Sequence, residues 1–434
     1  MAQQIKELTT KELADWIQQP EGILLDIRPL AAYNGWPLKD EPRGGHIKGA
    51  TAIPFKWAQY IDFKDIMDDK GITPDKTLVI YGYERENTEW LASKLKGSGF
   101  ENVSVYHRFP EEWSPDQNLP MDRLERYQQL VYPEWVHRLI NGEKPLGFEG
   151  NDYVVCHSHY GYEQDYHDGH IPGAIPLNTN DLESMETWNR RSPEELEEAL
   201  LKHGISHDTT VVVYGRFSHP DNRDPYPGQA AGHLGAIRCA AILMYAGVKD
   251  VKVLNGGLST WYEDGFETTT QETKPTPKAS FGADIPGQPE IFVDTPKAKE
   301  LLKSDEGELV SIRSWEEFIG NVSGYNYIEK TGRIPGAIFG NCGSDAYHME
   351  NYRNFDHTMK VFHEIEATWK ENGITPDKHI AFYCGTGWRG SEAFMNAWLM
   401  GWPRVSVYDG GWFEWSNDPD NPIATGEPKE ARAV

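Results

Sequence analysis

Cys384-Gly-Thr-Gly-Trp-Arg389 puts a nucleophile at the head of a short glycine-bearing loop. The loop follows an apolar run ending at Tyr383. It precedes Ser391-Glu-Ala-Phe394-Met-Asn-Ala397-Trp398, whose apolar residues recur at helical spacing. In a strand-to-helix loop of this kind, successive backbone N–H groups can curl inward as an anion-binding nest, and the helix N-terminus adds partial positive charge. Such a setting favours thiolate over thiol. A free cysteine with a pKa of ~8.5 is only a few per cent ionised at neutral pH, and lowering it by ~2 units takes about 2.7 kcal/mol of differential stabilisation. The chemistry expected is nucleophilic attack by sulfur, followed by transfer from a covalent intermediate.

The elements that must hold this loop occur three times in the chain. One landmark is a turn followed by a strand: Gly71-Ile-Thr-Pro-Asp-Lys-Thr-Leu-Val-Ile-Tyr81, Gly204-Ile-Ser-His-Asp-Thr-Thr-Val-Val-Val-Tyr214 and Gly373-Ile-Thr-Pro-Asp-Lys-His-Ile-Ala-Phe-Tyr383. Upstream lies a second landmark, Gly45-His-Ile-Lys-Gly-Ala50, Gly169-His-Ile-Pro-Gly-Ala174 and Gly332-Arg-Ile-Pro-Gly-Ala337. A third closes each copy: Val103-Ser-Val-Tyr106 before Trp113, Val251-Lys-Val-Leu254 before Trp261, and Val405-Ser-Val-Tyr408 before Trp415. Intervals of ~125 to 165 residues suit whole domains rather than solenoid repeats. The residue after the landmark tyrosine is Gly82, Gly215 or Cys384, so only the third copy carries the nucleophile.

Three domains are expected, over residues 1–122, 123–280 and 281–434. The polar stretch 114–122 and the proline-rich, extended stretch 271–289 are read as linkers. Thr9-Thr-Lys-Glu12 predicts a capping box, and Thr295-Pro296 a helix cap with proline at the first turn. Short strands are expected at Ile23-Leu-Leu-Asp-Ile27, Tyr153-Val-Val155 and Leu309-Val-Ser-Ile312. Alternation of strands and helices implies an α/β fold, each domain a parallel sheet with helices on both faces. Sheets of this type place their sites at the carboxyl ends of the strands, where Cys384 falls.

The boxes, the cysteine-led loop and the late Gly-Gly-x-x-x-Trp together resemble the rhodanese sulfurtransferases, and the likeness spans nearly the whole chain as three tandem domains. The last copy is similar to that of bacterial three-domain thiosulfate sulfurtransferases through Leu309-Val-Ser-Ile-Arg313-Ser-Trp-Glu-Glu-Phe-Ile-Gly320, Phe382-Tyr-Cys-Gly-Thr-Gly-Trp-Arg-Gly390 and Ser406-Val-Tyr-Asp-Gly-Gly-Trp-Phe-Glu-Trp415. The resemblance implies double displacement. The Cys384 thiolate takes the outer sulfur of thiosulfate as a persulfide, and a thiophilic acceptor such as cyanide or a thiol removes it. Gly385, Thr386, Gly387, Trp388, Arg389 and the strand-end Arg313 are the expected substrate-binding residues, and no metal or organic cofactor is implied. Gly385 and Thr386 are neutral, as in mercaptopyruvate-type loops, which makes 3-mercaptopyruvate the alternative donor. A non-enzymatic sulfur relay to a protein acceptor, or a scaffold, is the third reading.

Other residues have blander readings. Arg389 suits either an ion pair within the loop or a substrate anion; Arg333 replaces the histidine of the other two boxes. Cys239 lies in an apolar helix, and Cys342 is an ordinary thiol or a resolving partner. Cys156, His157, His159, His167 and His170 cluster in sequence, but their spacing fits no standard metal-ligand pattern. Four residues separate Cys384 from Arg389, one too few for the Cys-x5-Arg loop of phosphatases and arsenate reductases. The second copy holds about 15 additional residues in a loop at 216–235.

Composition excludes further classes. Lys and Arg total 42 against 67 Asp and Glu, a net charge of −25, which makes nucleic acid and anionic membranes poor partners. No apolar run is long enough to cross a bilayer as a helix. The 15 Trp, 21 Tyr and 16 Phe suit packed cores. The opening residues hold no apolar signal-peptide core, so the chain reads as cytoplasmic as it stands, and periplasmic if a leader was removed.

Overall fold

The computed structural model describes residues 5–18, 22–217 and 232–428. The chain divides into two compact units, 1–128 and 129–434. The first contains one five-stranded parallel sheet and the second contains two. In all three sheets the strands lie side by side in the same order, first, fifth, fourth, second, third, with helices flanking them. In the third domain these strands are Phe292–Val293, Val405–Tyr408, His379–Tyr383, Gly307–Ser311 and Ile338–Phe339, every pair parallel. Connections leave the second and fourth strands in opposite directions, so a crevice opens between their carboxyl ends. Cys384 follows the fourth strand and Arg313 follows the second, with Ser311 paired to Tyr383 in register.

The landmarks repeat because they bond to one another. The box amide of Ile47 donates to the Tyr81 hydroxyl at 3.0 Å, and that of Ile171 to Tyr214 at 2.9 Å. In the third domain Tyr383 is buried at the corresponding strand end, its hydroxyl without a hydrogen-bond partner among the described residues. The box histidines stack on Tyr33 and Tyr166, with centroids 3.6 and 3.7 Å apart, and bond those residues' carbonyls. In the third domain Arg333 lies over the Phe318 ring and donates to its carbonyl, so it does the histidine's structural work. The closing tryptophans Trp113, Trp261 and Trp415 each donate their indole N–H to a carbonyl six or seven residues onward.

Helix starts agree with the sequence in part. Thr9 and Glu12 form the expected capping box. The helix Thr295–Lys303 is preceded instead by Asp294, and the Thr295 hydroxyl bonds Tyr408 and Glu414. The stretch read as the first linker is folded: Met121–Asp122 pairs with His46–Ile47, and the Arg43 guanidinium donates to the carbonyls of Trp113, Ser114, Asp116 and Leu119. Backbone bonds at Lys278, Phe281 and Gly287 likewise tie the proline-rich segment to the second domain. Of the loop read at 216–235, residues 218–231 lie outside the described residues, and 232–235 open the helix Gly232–Ala246.

That helix is buried along its whole length, which explains its apolar sequence. It packs on its own sheet and against Trp388–Leu399, the helix that follows Cys384. Corresponding helices of the second and third domains therefore meet face to face beside Cys384. None of the helices described is long and apolar enough to cross a membrane.

Candidate active site

The strand His379–Tyr383 ends immediately before Cys384, and the helix begins at Trp388 after Gly387 in the left-handed region at φ 90°. Cys384 is 1% exposed. The loop's carbonyls are tied back: Trp412 N–H donates to Cys384 O at 2.8 Å and Phe413 N–H to Gly385 O at 2.9 Å. This needs the turn at Gly411, with φ 53°, where a Cβ would lie 2.8 Å from both carbonyl oxygens. The N–H groups of the first helical turn have no acceptor within the helix and remain available.

One amide of the expected nest is engaged. Gly385 N–H donates to the Tyr325 hydroxyl at 3.2 Å, and Arg389 Nη2 donates to the same oxygen at 2.5 Å. Tyr325 lies so close over Gly385 that an added Cβ would meet its ring at 2.3 Å. Burial raises the Tyr325 phenol well above its ordinary range, although Arg389 opposes this, and the Cys384 sulfur is near enough to act on it. The phenol is therefore neutral at physiological pH, and its oxygen already accepts two donors.

Arg389 is fully buried and bidentate on Glu317, both contacts 2.9 Å, and its Nη1 also meets Cys342 Sγ and the Asp345 carbonyl at 3.0 Å. Arg313 is equally buried; it reaches Glu317 at 3.4 Å and the Gly332 carbonyl at 2.7 Å, and lies over Trp412. Burial alone would raise the Glu317 carboxyl, but the two guanidiniums hold it at about 2. The structure thus engages both candidate arginines in one ionic cluster beneath the loop. Burial pushes the thiols of Cys342 and Cys156 up to about 12, so both stay protonated. Cys239 is buried in its helix as expected. In the second domain, His170 bonds the carbonyls of Tyr166 and Gln271, while His157 is buried between Tyr166 and Tyr214.

The second domain contributes directly to the site. Trp388 turns toward it, donating its indole N–H to Glu183 at 2.8 Å and meeting Tyr160 edge-on at 5.5 Å. Trp188 stacks on Tyr327 at 4.9 Å, and Tyr327 lies 5.3 Å from Tyr325 and beside the Thr386 side chain. Trp188 holds φ 62°, a conformation that costs a non-glycine residue about 1–3 kcal/mol and concentrates at functional sites. Tyr160, Trp188, Trp388, Tyr325 and Tyr327 make an aromatic wall at the loop. Sequence reasoning missed all of these except Trp388. Their one local signal is the Gly324-Tyr-Asn-Tyr327 stretch in an otherwise polar loop.

Comparison with known proteins adds to this geometry. The rhodanese-like domain profile matches residues 9–116, 161–264 and 294–418. Thiosulfate sulfurtransferase YnjE of Escherichia coli K12 is 41% identical over 97% of this chain and 93% of its own. Sulfur carrier protein TtuD of Thermus thermophilus is 30% identical over 69% of this chain and 97% of its own. Among solved structures, wild-type EanB is 55% identical, with a TM-score of 0.96 over 98% of this chain and 99% of its own. An anaerobic ergothioneine biosynthesis enzyme from Chlorobium limicola, bound to its natural substrate trimethylhistidine, matches at 55% identity and a TM-score of 0.96, covering 98% of this chain and 100% of its own. An EanB variant in which a tyrosine 59 residues before the cysteine is changed to phenylalanine carries a cysteine persulfide with ergothioneine; another alters a threonine two residues after that cysteine. The same intervals separate Tyr325 and Thr386 from Cys384. With three matched domains and a full-length relative above 40% identity, this chain belongs to the rhodanese-like sulfurtransferase family.

Proposed function

We propose that this sulfurtransferase carries sulfane sulfur as a Cys384 persulfide and delivers it to the imidazole ring of a trimethylated histidine. The observation that carries the reading is the trio Tyr325, Cys384 and Thr386, spaced like the tyrosine, cysteine and threonine of EanB, whose tyrosine-to-phenylalanine variant holds a persulfide with ergothioneine. The aromatic wall supports a quaternary ammonium ligand, since such faces attract a cation by roughly 2 kcal/mol when desolvated. The loop supports it too: Gly385 and Thr386 are neutral, and Arg389 and Arg313 are engaged by Glu317.

In loading, the Cys384 thiolate attacks the outer sulfur of the donor. From thiosulfate the S–S bond breaks and sulfite leaves with the electron pair; from 3-mercaptopyruvate the C–S bond breaks and the enolate of pyruvate leaves with it. In transfer, a ring carbon bonds the terminal sulfur and loses its proton, and the pair of the Cys384 S–S bond returns to Sγ. Oxidation of that carbon by two electrons balances reduction of the S–S bond. Tyr325, whose oxygen already accepts from Gly385 and Arg389, has its own proton left to donate to a ring nitrogen.

Thiosulfate as the donor is favoured by the 41% identity to a thiosulfate sulfurtransferase, and the loop's neutrality keeps 3-mercaptopyruvate as the alternative. A protein acceptor is the second reading, favoured by the sulfur carrier relative. The test is intact-mass spectrometry. Incubation with either donor is expected to add about 32 Da at Cys384, absent in Cys384→Ser, and trimethylhistidine is expected to discharge it as the sulfur-bearing product. Discharge by cyanide but not by trimethylhistidine would restore the thiosulfate:cyanide reading. Absence of an adduct from every sulfane donor would overturn both.

A further inference from the structure

The second domain has glycine where the third has its nucleophile, yet it sends buried charges to the wall of the third domain's site. Glu183 is fully buried; one carboxylate oxygen accepts from the Trp388 indole at 2.8 Å, and the other from Arg238 Nε at 3.0 Å. Arg238 is also fully buried, and its Nη2 donates to Asp409 Oδ1 at 2.6 Å and to the Trp188 carbonyl at 3.1 Å. Its Nη1 has no hydrogen-bond partner and faces the catalytic loop, 3.0 Å from where a Cβ of Gly387 would stand. Asp409 closes the chain of contacts, accepting from Arg190 N–H at 3.0 Å and from Arg190 Nη1 at 2.6 Å. It directly precedes the Gly410–Gly411 turn that leads to Trp412 and Phe413, whose amides hold the carbonyls of Cys384 and Gly385.

From this connectivity we infer that Glu183 and Arg238 are positioning residues: an ionic clasp through which the silent second domain sets the orientation of Trp388 and Trp188 and so shapes the acceptor pocket. The inference rests on the sulfur-transfer reading above. Neither residue needs to touch the acceptor. Each acts through an aromatic side chain it holds, Glu183 through the Trp388 indole and Arg238 through the Trp188 carbonyl. Hydrophobic contact alone would pack the two helices together, but it would not fix the rotation of an indole ring or the backbone of a residue at positive φ. A hydrogen bond to a buried charge does fix them, because leaving either partner unmet is costly.

The test compares wild type, Glu183→Gln and Trp388→Phe in full-length protein. Calorimetry measures trimethylhistidine binding, and steady-state turnover gives KM and kcat for the same acceptor. Loss of a bond to a buried charge is expected to weaken binding and raise KM by about tenfold, with kcat changed by less than about threefold. Unchanged binding in folded Glu183→Gln overturns the inference. If that variant fails to fold, Trp388→Phe decides, since it keeps a ring and removes the N–H that Glu183 holds; unchanged binding there overturns the inference as well. Wild type that does not bind trimethylhistidine overturns the acceptor assignment instead, so the two failures are distinguishable.

Discussion

Replacing Gly385 with alanine adds one methyl group at the point where Tyr325 crosses the Cys384 loop. The backbone tolerates alanine there, because Gly385 is not among the glycines at positive φ. The obstacle is the neighbouring ring: the new Cβ would stand 2.3 Å from Tyr325 Cζ and 2.5 Å from its oxygen. Relaxed carbon contacts lie at about 3.5–4.0 Å, so the ring must retreat by more than ~1 Å. It is poorly placed to do so, because its hydroxyl is held by Arg389, and Arg389 is clamped by Glu317. Overpacking of this kind costs about 1–3 kcal/mol, and a ~1 Å displacement of an orienting group lowers rate by about a hundredfold. Thermal unfolding and acceptor-dependent turnover of persulfide-loaded protein measure the two effects. Adding Tyr325→Ala is expected to recover the stability but not the turnover, with a coupling of at least about 1 kcal/mol between the sites. A Gly385→Ala protein with turnover within about threefold of wild type and an unshifted unfolding temperature would refute the reasoning, since it would mean the phenol neither fills that space nor aligns the substrate.

Two further outcomes are expected. Trp188→Ala should raise KM for trimethylhistidine by about tenfold, corresponding to ~1–2 kcal/mol of lost cation–π attraction, while KM for unmethylated histidine moves less; equal effects on both would remove the quaternary ammonium from the pocket. Glu317, held at about 2 against an ordinary 4.5, contributes stability that is fully present above pH ~5 and lost as pH falls from there toward 2. The stability gap between wild type and Glu317→Gln should therefore narrow between pH 6 and pH 3 in thermal unfolding. A gap that stays constant would place the cluster's contribution elsewhere.

The framework was legible because its devices are local or repeated. In the first two domains the landmark tyrosine accepts a box amide, which ties the turn-strand signal to the Gly-x-Ile-x-Gly-Ala signal. The capping box at Thr9 needs only residues three apart and was readable for that reason. The stretch 114–122 is folded rather than a free linker because its backbone carbonyls satisfy Arg43, which lies some 70 residues earlier in the chain.

The candidate nucleophile was written in the chain itself, since Cys384 occupies a position that is glycine in both sister copies, at the end of a strand whose type is set by its apolar run. What surrounds that sulfur was decided only by tertiary structure. Tyr325 reaches the loop across 60 residues of sequence, and Glu183 meets Trp388 across 205. The partner of Arg389 was decided in the same way: an arginine after a cysteine suits an anion or a carboxylate equally well, and only the folded chain puts Glu317 against its guanidinium. Spacing along a chain reports neighbours on one strand or helix. Burial of charge and the facing of aromatic rings depend on which surfaces the fold brings together.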